Sequence, residues 1–129
     1  MDRGAMSGGK AILLVENNLL IKETLSLILR KVGYTVLPVD SLNQGCQYLS
    51  GQACDLVLID IPDPIANELD TIAEIRSSSL DLPILLLTAH NPSNPAPFAG
   101  NEHNLGYLVK PVDPVHILEL IEQLIGDDC

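Results

Sequence analysis

Five short apolar runs punctuate the chain: Ala11–Val15 (AILLV), Thr35–Val39 (TVLPV), Leu56–Ile59 (LVLI), Ile84–Leu87 (ILLL) and Tyr107–Val109 (YLV). They are continuous rather than alternating, the pattern of parallel strands covered on both faces. Between them apolar residues return at helical spacing. Ile21, Leu25, Ile28 and Val32 fall at i, i+4, i+7 and i+11 and predict one helix face, closed by Gly33. Leu42, Cys46 and Leu49 predict a second helix, with Asp40 or Ser41 as N-cap, and Leu69, Ile72 and Ile75 a third. Leu118, Ile121 and Ile125 predict a last helix that starts after Asp113-Pro114, a favourable pairing of N-cap and first-turn residue. Strands alternating with helices imply an α/β, doubly wound, five-stranded parallel sheet. Pro38 narrows the topology. A proline cannot donate to a ladder and belongs on an edge strand, which the second strand is in the flavodoxin-like order 2-1-3-4-5.

One crossover breaks the pattern. Between the fourth and fifth strands lies HNPSNPAPFAGNEHNLG, with Pro92, Pro95 and Pro97 close together. Each internal proline costs a helix about 3 kcal/mol, so residues 90–104 are expected to lack a full-length fourth helix. That helix should be shortened or disrupted.

Length and composition then restrict the class. At 129 residues the chain suits one domain, here divided into a flexible lead (1–9), the folded unit (10–126) and a short tail (127–129). Seventeen Asp and Glu against seven Lys and Arg give a net charge of −10, and the pI is near 4.4. Such a balance disfavours nucleic acid and anionic membranes as partners, because DNA affinity comes largely from Lys and Arg neutralising phosphates. No apolar run approaches the roughly 20 residues of a membrane span, and the first residues hold no apolar signal core. Cys46, Cys54 and Cys129 are odd in number and lack metal-ligand spacing. The cytoplasm is the expected compartment. Gly4 to Lys10 (GAMSGGK) imitates half of a P-loop, but Ala11 stands where a metal-binding hydroxyl belongs, and the segment precedes a strand instead of following one.

In open parallel sheets ligands bind beyond the carboxyl ends of the strands. Those ends carry Glu16-Asn17-Asn18, Asp60, Thr88-Ala89 and Lys110-Pro111. Two carboxylates, a hydroxyl, amides and a lysine would share one rim. Polar strand ends also serve as helix caps and loop starters, and the residues alone leave both readings open. The lysine favours the first, since it follows a buried strand toward two acids in a chain poor in bases. His90, His103 and His116 share no metal spacing and are expected as loop or surface residues. Asp63 is expected as a solvated loop charge.

The segments ILLVENN, GYTV, DLVLIDIPDP, LPILLLTA and YLVKP, in this order and spacing, resemble the receiver domain of two-component response regulators over residues 10–126. The resemblance implies that Asp60 is the phosphoacceptor for a histidine kinase or histidine phosphotransfer protein, acting as a phosphorylation switch and admitting autophosphatase activity and a homodimer. It implies Mg²⁺ held by Glu16, Asn17, Asp60 and the backbone carbonyl of Pro62. It gives Thr88 the hydroxyl that follows the phosphoryl group, Lys110 the cation that pairs with it, Ala89 a backbone phosphate contact and Tyr107 the aromatic switch. It also implies a cis Lys110–Pro111 peptide bond. The chemistry agrees: phosphoryl transfer needs an in-line nucleophile, a divalent cation and a fixed positive charge.

Departures from the family pattern carry weight too. Asn17 replaces an acid, so an amide oxygen stands in for an anionic ligand and Mg²⁺ binding is expected to be weak. Glu68 replaces a common glycine, and HNLG (103–106) the usual small residues before the fifth strand. These departures motivate an alternative, a degenerate receiver that docks a protein partner independently of phosphorylation. A flavin- or cobalamin-binding protein of similar topology is the remaining class. It lacks support, because no phosphate loop follows the first strand and no His-bearing cobalamin motif appears.

Overall fold

The computed structural model describes residues 9–61, 72–77, 81–88 and 104–126. Five parallel strands, β1 (Ala11–Val15), β2 (Thr35–Val39), β3 (Leu56–Ile61), β4 (Ile84–Thr88) and β5 (Leu105–Val109), form one sheet in the order β2-β1-β3-β4-β5. Pro38 lies on edge strand β2, opposite Leu14. The flavodoxin-like doubly wound topology expected from the sequence is therefore the one observed. Helices α1 (Leu19–Lys31) and α2 (Leu42–Gly51) follow β1 and β2, residues 72–77 form a helical segment, α3, and α4 (Pro114–Ile125) follows β5.

Strand side chains alternate between two layers. Ile12, Leu14, Leu56, Leu58, Leu85 and Leu87 pack with Leu25 and Leu29 of α1 and Ile117 and Ile121 of α4. Leu13, Val15, Val57, Ile59, Ile84 and Leu86 pack with Ile72 and Ile75 of α3, and Leu42 and Leu49 of α2 lie against that cluster. Both faces of the sheet are thus covered, which is why its strands read as unbroken apolar runs.

The caps follow the sequence closely. Asp113 caps α4, its Oδ1 accepting from Val115 N–H at 2.9 Å, and Pro114 begins the helix. Ser41, one of the two expected candidates, caps α2 through Gln44 N–H. Gly33 lies just past α1 at φ 103°, a left-handed conformation that side-chain-bearing residues resist. The Lys110–Pro111 bond is cis, as expected.

Three features differ from the expected pattern. The buried stripe of α1 runs through Leu25, Ser26 and Leu29, whereas Ile21 and Val32 are largely exposed. With apolar residues on every side of LLIKETLSLILRK, periodicity alone cannot choose the face; packing against the sheet and α4 does. β3 extends to Ile61 and β5 begins at Leu105, both beyond their apolar runs, so Asp60 lies inside a strand rather than after one. Gly45, and not Leu42, Cys46 or Leu49, is the buried residue of α2: a Cβ there would sit 3.3 Å from a Val15 methyl. The fourth crossover falls outside the described residues.

Candidate functional site

Sheet register gathers the rim. Val15 pairs with Ile59, Asp60 with Leu87, and Thr88 with both Ile61 and Val109. The residue after Val15 is Glu16 and the residue after Val109 is Lys110, so all four strand ends stop at one level. Alternation then sorts the side chains. Glu16, Asp60 and Lys110 continue the parity of Leu14, Leu58 and Leu108, on the face covered by α1 and α4. Thr88 and Tyr107 continue that of Leu86 and Leu105, on the α2–α3 face.

Glu16 is 3% exposed. Its backbone N–H donates to Val39 O of β2 at 3.1 Å. Its side-chain Oε2 accepts from Asn18 N–H at 3.0 Å, while Oε1 is buried without a hydrogen-bond partner. Burial, together with the neighbouring Asp60 carboxyl, pushes the Glu16 pKa up to about 7, against the opposing pull of the Asn18 N–H and of Lys110. Lys110 also faces Asp60. Its Nζ makes an ion pair with Asp60 Oδ1 and donates to Ile61 O at 3.3 Å. Lys110 N–H donates to Thr88 O at 2.7 Å, tying the lysine's backbone to the end of β4.

Of the expected site residues, the structure pairs Asp60 with Lys110 and sets Glu16 beside Asp60. Thr88 is fully buried at the end of β4, diagonal to Asp60, and Tyr107 packs half-buried beside the second core. Asn17 is exposed on the loop between Glu16 and α1. Pro62 and Ala89 lie outside the described residues, as do Asp63, Glu68, His90 and His103; His116 is exposed on α4. Sequence reasoning gave Asn18 no role of its own, although an Asn directly before an apolar helix is a recognisable N-cap signal.

The donor set suits a hard divalent cation. Glu16 and Asp60 would supply carboxylate oxygens, and Glu16 Oε1 is a buried acceptor lacking a hydrogen-bond partner, whereas Asn17 beside them is exposed. Among the described residues no three His, Cys, Asp or Glu side chains converge, so the carboxylates number two. Also among them, no helix is long and apolar enough to cross a membrane.

A buried glutamate beside a half-buried aspartate faced by a lysine, at the carboxyl end of a 2-1-3-4-5 sheet, lies where open α/β sheets bind their ligands. The family model for the response regulator receiver domain matches residues 12–122, and the chain belongs to that family. It is 28% identical over 114 residues to the transcriptional regulatory protein GlrR of Escherichia coli, covering 88% of this chain and 26% of that protein. It is 32% identical over 111 residues to the transcriptional regulatory protein YbdJ of Bacillus subtilis, covering 85% of this chain and 48% of YbdJ. The chain spans about a quarter of the length of GlrR and similar relatives. Among solved structures it resembles the receiver domain of the sensor histidine kinase PA1611 of Pseudomonas aeruginosa, which holds a magnesium ion in its active-site cleft. The TM-score is 0.75 at 27% identity, covering 93% of this chain and 100% of the other. It is therefore a receiver domain of the two-component response-regulator type.

Proposed function

We propose that Asp60 is the phosphoacceptor of this receiver and that a histidine kinase or histidine phosphotransfer protein is its donor. An Asp60 carboxylate oxygen attacks the phosphorus of a phosphohistidine. The P–N bond breaks as the P–O bond forms, and the imidazole leaves with a proton, giving an aspartyl phosphate. The observation that carries this reading is the placement of Asp60, half-buried beside Glu16 and ion-paired with Lys110. Lys110 is ion-paired with Asp60 and, once the phosphoryl group is attached, pairs with its oxygens. Thr88 and the Ala89 backbone N–H are the groups that follow that phosphoryl group, and Tyr107 reports the change to the surface. Glu16, Asp60, Asn17 and the Pro62 carbonyl would hold Mg²⁺, which supplies charge neutralisation at the phosphoryl oxygens when bound. PA1611, with magnesium in its cleft, supports that ligand class. The amide at Asn17 makes the affinity weak. The folded unit spans 10–126, and a cytoplasmic location belongs to the same reading.

The test is intact-mass measurement after mixing with a phosphorylated histidine donor or a small acyl phosphate, with and without Mg²⁺. One added phosphoryl group, lost in Asp60→Asn, is the expected result. A second reading, phosphorylation-independent docking of a protein partner, is favoured by the amide at Asn17 in place of an acid. An unchanged mass under every condition would select it.

A further inference from the structure

Between β1 and α1 the chain turns over three residues, and one of them has nearly every polar group engaged. Asn18 N–H donates to Glu16 Oε2 at 3.0 Å. Asn18 Oδ1 accepts from Ile21 N–H at 3.0 Å, and Asn18 O accepts from Lys22 N–H at 2.9 Å. Its backbone is extended, with φ −83° and ψ 118°, the N-cap conformation. The cap holds residue 18 in that conformation, and the conformation aims the N–H at the glutamate. With Oε2 held by Asn18 and the backbone of Glu16 held by Val39, the free oxygen Oε1 is left buried.

We propose that Asn18 is a positioning residue for Glu16: through its cap on α1 it locks the Asn18 N–H onto one oxygen of the carboxylate and so presents the other toward Asp60. The inference rests on the reading of Glu16 as a cation ligand. Partners that orient a ligand carboxylate are commonly worth a tenfold or larger change in metal affinity. The side chain of Asn18 thus reaches the site indirectly, through its own backbone.

The test compares two matched cap deletions. Asn18→Ala removes the α1 cap, and Ser41→Ala removes the α2 cap, whose Oγ accepts from Gln44 N–H and not from a group bonded to Glu16. Asn18→Ser retains a capping oxygen and should rescue. Calorimetric titration with Mg²⁺ gives affinity, a thermal melt gives stability, and hydrogen exchange of the residue-18 amide reports its bond to Glu16 without any metal. Both deletions should lower the melting midpoint comparably. Only Asn18→Ala should weaken Mg²⁺ binding, by about tenfold, and speed exchange at residue 18; Asn18→Ser should restore both. Should Asn18→Ala keep slow amide exchange, or should Ser41→Ala weaken Mg²⁺ equally, the assignment is overturned. If the wild type shows no Mg²⁺ binding yet Asn18→Ala still loses amide protection, the positioning role stands and the cation reading of Glu16 fails.

Discussion

The two ends of the sheet carry similar residues and treat them differently. At the amino end, polar side chains bind mostly backbone. Asp55 Oδ2 accepts from Ala11 N–H at 2.7 Å, and Lys10 Nζ donates to Ile125 O at 2.6 Å, capping the negative end of α4. Arg76 donates to Leu82 O at 2.5 Å and to Asn104 Oδ1 at 3.1 Å, while Asn104 donates to Asp81 O at 2.5 Å. At the carboxyl end, charged groups face one another instead: Glu16 against Asp60, and Asp60 against Lys110. A polar strand end satisfied by backbone closes the fold. One whose neighbours are other charges has been held in an unfavourable environment, where binding a cation or an anion relieves it.

Substitutions at the two ends separate these roles. The largest effect is expected from Asp60→Asn, which should abolish phosphoryl incorporation, read by intact mass, while leaving the fold intact by circular dichroism. Next is the pH dependence of metal-free stability. Glu16 has a pKa of about 7 in the fold against 4.5 as its ordinary value, so between those values the native state binds more protons than the unfolded chain. The contribution of Glu16 to stability is then fully present below pH 4.5, is lost as pH rises through 7, and amounts to up to about 3 kcal/mol. Chemical denaturation across that window measures the slope, and Glu16→Gln should flatten it.

At the amino end the pattern reverses. Arg76→Ala leaves the Leu82 and Asn104 acceptors without their donor and should cost roughly 1–3 kcal/mol in denaturant melts. Its phosphorylation rate should match the wild type; a large drop would blur the distinction between the two ends. The smallest stability effect is expected from Asn17→Asp. A third carboxylate should tighten Mg²⁺ binding and lower metal-free stability at neutral pH by about 1 kcal/mol, the scale of one pKa unit. It should also speed Mg²⁺-dependent phosphorylation. If the wild type already binds Mg²⁺ as tightly as Asn17→Asp, the amide is an adequate ligand and the docking-only reading loses its motive.

Much of this protein is legible in its residues taken in order. Continuous apolar runs appear because both sheet faces are covered, Pro38 marks an edge because it lacks an N–H, and Asp113-Pro114 starts a helix because cap chemistry is local. The same locality made Glu16, Asp60, Thr88 and Lys110 readable as one rim, since parallel strands end on the same side. What periodicity could not supply was the choice among equivalent apolar faces. α1 buries Leu25 and Leu29 and exposes Leu20 and Ile21 because of what it packs against, not because of its own pattern. Nor could the residues in order show that Glu16 is buried against Asp60, that Lys110 pairs with it, or that Asn18 reaches the site through its backbone. Burial and charge coupling depend on distances between groups tens of residues apart, and only strand register sets those distances.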